Sequence, residues 1–219
     1  MRGRALFFGL LALCACAALG AMMVPGPQGS ALDHDELPFY SQADLKPRWD
    51  VLSRWRGVGT VPLTEASGKA LGAGLFAKGP TVVSFFWAGC ATACPGSIEL
   101  LRGIAGNPRV LLITDQPLTD TVPVLADYRN RLALPADWQL ATGHPDTIYA
   151  LARRSLFTDV EARRPDGIPR HTEVNYLVDR HGRLRGLYDA HSPADTIRLQ
   201  TDLERLRIES GVAPEPSPV

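Results

Sequence analysis

The run "TVVSFFW", residues 81–87, constrains this chain more than any other stretch. A strand with one wet face alternates apolar and polar side chains. A continuous β-rich run without charge instead predicts a strand buried on both faces. Such a strand needs a sheet that is covered on both sides, which in practice means helices above and below it. "RVLLIT", residues 109–114, is a second run of the same kind.

The segments around these runs supply the covering helices. "GSIELLRGIAG" carries Ile98, Leu100, Leu101 and Ile104 at helical spacing, with Gly106 as a stop. "DTVPVLADYRNRLAL" reads as a helix that Asp120 or Thr121 could cap, with Pro123 in its first turn. "DWQLAT" predicts a short strand and "HPDTIYALARRSLF" a further helix. "EVNYLVD" and "RLRGLYD" predict two strands joined through Arg180-His181-Gly182, a hairpin signal. "SPADTIRLQTDLERLRIES" closes the series as an amphipathic helix, with Ile197, Leu199, Leu203 and Leu206 on or near one face. Upstream, "GTVPLTEASGKAL" alternates around Ser67-Gly68 and predicts a hairpin leading into the core. Alternation of strand and helix demands parallel crossovers, and the late hairpin adds antiparallel strands to the same sheet. The expected fold class is therefore α/β and thioredoxin-like, a central mixed sheet flanked by helices with an N-terminal hairpin extension.

Outside that domain, expected at residues 58–210, the chain changes character. Residues 1–30 place Arg2 and Arg4 before an uncharged apolar stretch from Ala5 to Val24. This is close to the roughly 20 residues a helix needs to cross a bilayer, and the flanking charge predicts an exported remainder. A cleavable signal peptide is the rival, since Ala15-Cys16-Ala17 and Ala18-Leu19-Gly20 resemble cleavage sites. A lipoprotein site at Cys14 or Cys16 fits poorly, because Leu13 or a neighbouring cysteine stands where small residues are favoured. An anchor is the expectation adopted. Residues 31–57 read as a linker or arm and residues 211–219 as a flexible Pro-rich tail. With 23 basic and 23 acidic side chains the net charge is zero, which gives no reason to expect nucleic acid as a partner.

Cys14 and Cys16 fall in the leader, so the expected domain holds one cysteine pair, Cys90 and Cys94 in "WAGCATACP". The fold places them where the first buried strand ends and a helix begins. Free N–H groups there stabilise thiolate, the form needed for thiol–disulfide exchange and for soft-metal binding alike. Ala91, Thr92 and Ala93 separate the cysteines, whereas the thioredoxin redox motif has two intervening residues. Positions i and i+4 lie on one helical face, so both sulfurs can grip one ion. A plain disulfide is also reachable, since Cα separations up to about 6.8 Å allow one. It would close a very short loop and contribute little through chain entropy.

His171 in "GIPRHTEVNYLVDRHGR" is the companion that favours a metal. It precedes a strand expected beside the first, at the same end as the cysteines. Two thiolates and an imidazole form a soft, low-coordinate set that suits Cu(I), or Cu(II) with an additional weak ligand. Zinc ordinarily takes four ligands, and no fourth is evident. His34, His144, His181 and His191 read as solvated polar residues.

At these residues the sequence resembles the SCO/SenC family of membrane-tethered copper chaperones. "TVVSFFWAGCATACPGSIELL" is similar to the family's strand, Cys-x-x-x-Cys-Pro and helix, and "HTEVNYLVDRHGRLRGLYD" to its histidine, strand, turn and second strand. "LLITDQPLTDTVPVLADY" resembles its strand, acidic loop and helix, with one extra residue between Asp115 and Asp120. "LPFYSQADLKPRW" looks like the N-terminal arm of bacterial members. The resemblance implies copper held by Cys90, Cys94 and His171, and delivery of copper to, or preparation of, a respiratory oxidase copper centre. It also implies an N-terminal anchor in a bacterial inner membrane, a domain facing the periplasm, and a copper-receiving oxidase subunit or other copper or cysteine client as partner. The family's aspartate between the cysteines is absent here, and "FFWAGC" resembles thioredoxin's own approach to its first cysteine.

The alternative is an exported thiol–disulfide oxidoreductase in which Cys90 and Cys94 are the redox-active pair. A peroxidase-like enzyme is a third reading, disfavoured because no peroxide-site pattern accompanies Cys90. Arg163, Arg164 and Arg170 crowd the segment before His171 and read as a solvated basic loop. Their functional reading is a local positive potential that favours thiolates and steers an acidic client.

Overall fold

The computed structural model describes residues 36–41, 45–49, 57–72, 74–91, 93–156 and 173–211. The chain divides into two compact units, Met1–Asp35 and Glu36–Val219, and every described residue belongs to the second.

Two buried runs form the centre of a seven-stranded sheet. Strand β5 (Thr81–Phe86) is buried at all six positions, and β6 (Arg109–Thr114) at all but its first. They pair in parallel from Thr81↔Arg109 to Phe86↔Thr114. Strand β7 (Gln139–Thr142) extends the parallel set beyond β6. On the other flank β8 (Val174–Val178) runs antiparallel to β5, and β9 (Leu184–Asp189) antiparallel to β8. The hairpin of β3 (Leu63–Glu65) and β4 (Ala70–Leu71) joins the far edge through β7. The order is β4-β3-β7-β6-β5-β8-β9, while β1 (Phe39–Tyr40) and β2 (Pro47–Arg48) form a separate two-stranded sheet. This is the mixed, helix-flanked, thioredoxin-like arrangement with an N-terminal hairpin that the alternation predicts.

Both faces of the sheet are covered. Helices α1 (Ala93–Arg102), α2 (Val122–Arg131) and α4 (Pro193–Ser210) seat Ile98, Leu101, Leu125, Leu199, Leu203 and Leu206 on the face that carries Val82, Phe86 and Leu112. Helix α3 (Pro145–Ser155) seats Ile148, Leu151 and Ala152 on the opposite face, against Val83, Phe85 and Ile113. Alternate residues of β5 serve alternate layers, as the two-residue strand period requires. Ile197 departs from the expected apolar face of the last helix: it is 68% exposed. Two positions from Leu199, it lies about 200° around the helix, nearly opposite the buried stripe.

The expected membrane anchor is corrected. Among the described residues no helix is long and apolar enough to cross a membrane. The longest of them, the 18-residue α4, carries acidic and basic side chains along its length. Residues 1–30, on which the anchor and the inner-membrane, periplasm-facing placement rested, lie outside the described residues. The chain is accordingly assigned no transmembrane segment, membrane partner or inner-membrane location.

Candidate metal and thiol site

Strand β5 delivers the chain directly into the cysteine turn. The Cys90 N–H donates to the Trp87 carbonyl at 3.0 Å, closing a tight turn through Ala88 and Gly89. A Cβ on Gly89 would stand 2.6 Å from the Trp87 indole, so that close approach demands glycine. Helix α1 then starts at Ala93, earlier than its apolar periodicity implies. The Cys94 N–H donates to the Cys90 sulfur at 3.1 Å, placing that sulfur on one of the free N–H groups of the helix end. Pro95 is tolerated in this first turn because its missing N–H would have had no intrahelical partner.

The two sulfurs are free thiols in different surroundings. Cys90 is half-buried, while Cys94 is only 6% exposed and packs in the core with Ile98 and Phe86. Burial pushes the Cys94 thiol well above the ordinary cysteine range. The hydrogen bond with Cys90 and the charges of Cys90 and Asp115 push the same way, against a backbone hydrogen bond with Trp87. For Cys94, desolvation therefore outweighs the thiolate-favouring helix end expected from position alone.

The turn is held from below by residues that the motif does not announce. Asp120 is buried, and its Oδ2 accepts from the Ala88 N–H at 2.9 Å and from the Thr114 hydroxyl at 2.6 Å. The Thr114 oxygen in turn accepts the Gln116 N–H at 2.9 Å. Arg131 Nη2 donates to the Ala88 carbonyl at 2.9 Å, so both backbone groups of Ala88 are fixed by side chains. Asp120 is thus not the cap of α2. That position belongs to Thr121, which makes no side-chain cap bond. An aspartate just before Thr-Val-Pro looks like a cap in sequence, and only the packing of β6 beside β5 turns it toward Ala88.

Two of the three expected ligands are described, and they adjoin. His171 lies outside the described residues, as do Arg163, Arg164 and Arg170. The antiparallel pairing of β8 with β5 puts Asn175 beside Ser84, so β8 begins at the end of the sheet where β5 runs into the cysteines. Among the described residues no group of three His, Cys, Asp or Glu side chains could hold a metal. His144 accepts the Asp146 N–H as the cap of α3, and His181 accepts from Arg180 in the β8–β9 turn. The free sulfurs of Cys90 and Cys94 are soft donors that fit a soft ion, but two sulfurs alone are an incomplete set.

Known proteins place this geometry. The SCO1/SenC family profile matches residues 56–206, more than half of the chain. No curated protein sequence matches. Among solved structures, a SCO1/SenC family lipoprotein from Bacillus anthracis str. Ames is 21% identical with a TM-score of 0.61, over 67% of this chain and 92% of its own. BsSco, described with a disulfide switch and as a member of the Sco family of cytochrome c oxidase assembly proteins, is 18% identical with a TM-score of 0.61, over 70% and 94%. Arabidopsis thaliana ScoI, solved with copper bound, is 19% identical with a TM-score of 0.55, over 68% and 99%. These identities speak to the fold, which agrees with the strand order and helix placement above. With the profile covering the sheet, the cysteine turn and the closing hairpin, the chain belongs to the SCO1/SenC family.

Proposed function

We propose that this protein carries one copper ion on Cys90, Cys94 and His171 and passes it to the copper centre of a respiratory oxidase during assembly. The observation that carries the reading is the pair of free sulfurs at the start of α1, with the N–H of Cys94 on the sulfur of Cys90. Support for His171 comes from chain connectivity. It stands two residues before Glu173, and that span reaches at most about 7 Å. Support for the cargo comes from the copper found in the A. thaliana relative, and for the client from the oxidase-assembly family of BsSco.

In this reading Cys94 is the inner ligand, held by the core, and Cys90 the outer one, held by the turn. Binding the ion removes the proton from each sulfur, which for Cys94 means overcoming burial as well. The ion supplies the positive charge that offsets that cost. Asp120 and Arg131 keep Ala88 and the turn in place, so the sulfurs need little rearrangement to meet the ion. A three-ligand set leaves room for a client ligand to approach, and handover proceeds by exchange of ligands.

The unequal exposure of the sulfurs also favours a second reading, a thiol–disulfide oxidoreductase. The Cys90 thiolate would attack a client disulfide, forming a mixed disulfide and releasing one client thiolate. Cys94 would then attack the Cys90 sulfur, releasing the second client thiol and leaving the Cys90–Cys94 disulfide for an external dithiol to reduce. His171→Ala separates the two readings. Copper carriage predicts that the reduced full chain binds one Cu(I) in competition with a chromophoric chelator, and that His171→Ala weakens binding at least tenfold while leaving dithiol cycling intact. Unchanged Cu(I) affinity in that variant, with turnover on disulfide substrates, would favour the oxidoreductase.

A further inference from the structure

Tyr128, on the second helix, belongs to the same packed cluster as Cys94, with Cys90 against it. It is only 1% exposed, and its hydroxyl has no hydrogen-bond partner among the described residues. A buried phenol without a partner is unfavourable, and phenylalanine would fill the same space without that penalty. The ring is nevertheless firmly placed. It packs on Phe86, the last residue of β5, at 5.0 Å between centroids. The Arg131 guanidinium lies 5.2 Å from its centre, and the same guanidinium holds the Ala88 carbonyl of the cysteine turn. Burial first, and then charge on Cys94 and Cys90, raise the phenol above its usual range. The hydroxyl is thus a buried donor without a partner among the described residues, in the cluster that Cys94 joins and Cys90 packs against.

A thiol sulfur is a weak acceptor, whereas a thiolate accepts a strong, charge-assisted hydrogen bond. We propose that Tyr128 is a positioning residue of the cysteine pair: its hydroxyl, unpaired while the sulfurs are thiols, donates to a sulfur of the pair that carries thiolate charge. A bound metal or thiol exchange can put that charge there. The hydroxyl and the thiolate then satisfy each other, and the charged state is favoured over the neutral one. The inference rests on the reading of Cys90 and Cys94 as the working sulfurs.

The test compares the full reduced chain with Tyr128→Phe, which removes one oxygen and keeps the ring. Cu(I) affinity is measured by chelator competition, and the equilibrium of the reduced pair with its disulfide against reduced and oxidised glutathione at about pH 9.5, above the ordinary thiol value, where the reduced state carries thiolate charge and the disulfide does not. Tyr128→Phe is expected to bind Cu(I) roughly 10-fold more weakly, as loss of an outer-shell hydrogen bond does, and to hold its dithiol form less firmly against glutathione. The metal-free variant is expected to melt at the same temperature or higher. The parent's near-ultraviolet tyrosine signal is expected to change on Cu(I) loading by more than the variant's. A shift in either equilibrium supports the proposal, provided the metal-free melting temperature has not fallen. Parent-like values for both overturn it, and so does a lower metal-free melting temperature, which would mean that the hydroxyl already has a structural task. If the parent takes up no Cu(I), the copper reading fails by itself. The glutathione equilibrium then decides alone: a shift supports Tyr128's role and no shift overturns it.

Discussion

Cys90 and Cys94 are four positions apart in sequence, yet one faces the free N–H groups of a helix end and the other faces the core. In the metal-free reduced chain, iodoacetamide is expected to modify Cys90 first, with Cys94 following only as the turn opens; peptide mass mapping at early times checks this. Cys94 also makes stability depend on pH. Its folded value is raised by burial, so the native state binds that proton more tightly than the unfolded chain does. Stability is whole below the ordinary thiol value, about 8.5, and falls as pH rises above it, by up to about 1.4 kcal/mol per pH unit. Tyr40, Tyr128 and Tyr188 are raised too, again by burial first, but their contribution is lost only above about pH 10. Urea unfolding of reduced protein between about pH 8.5 and 10 should therefore show a slope that Cys94→Ala flattens. Asp120→Ala leaves the Ala88 N–H and the Thr114 hydroxyl without their shared acceptor. A cost of about 1–3 kcal/mol in urea unfolding is expected, with faster alkylation of Cys94 as the turn loosens.

The elements that could be read from the sequence are those whose periodicity is strong and local. Thr81–Phe86 and Arg109–Thr114 could be only buried strands, and the Arg180-His181-Gly182 turn is where the hairpin bends, with Gly182 at φ 75°. The exposure of Ile197 and the early start of α1 were not legible, because each depends on which face a neighbour covers. Nor was the arm. Arg185, in β9, is 4% exposed, and its Nη2 donates to the Leu37 carbonyl at 2.7 Å and pairs with Glu209 at 2.8 Å. Its guanidinium also lies 4.0 Å from the centre of the Phe39 ring and 3.6 Å from Asp179. One arginine thus ties the arm, 148 residues away at Leu37, to the hairpin and the last helix. Arg185→Ala is expected to cost about 1–3 kcal/mol, because the Leu37 and Pro38 carbonyls and the Glu209 carboxylate lose their shared donor. Arg185→Lys should not restore it, since a lysine lacks the planar fork that serves several acceptors at once. Urea unfolding of the two variants, with proteolysis of the arm as a second readout, checks both statements.

At the scale of the whole molecule, the sheet order brings remote segments to one end. β5 ends at the cysteines and β8 begins beside Ser84, so a histidine remote in sequence becomes a candidate partner for the pair. That much follows from strand alternation and the late hairpin. The supports beneath the turn do not, since Asp120, Arg131 and Tyr128 look like ordinary helix residues until α2 is packed against the sheet. The central claim is that the two sulfurs at the start of α1 and the histidine ahead of β8 hold one copper ion. Copper-edge X-ray absorption of the Cu(I)-loaded full chain tests it most directly, with His171→Ala beside it. The account predicts a first shell of two sulfurs and one imidazole nitrogen in the parent, and loss of the imidazole signature in the variant. A parent shell of sulfur alone, or an imidazole that persists in His171→Ala, would contradict it.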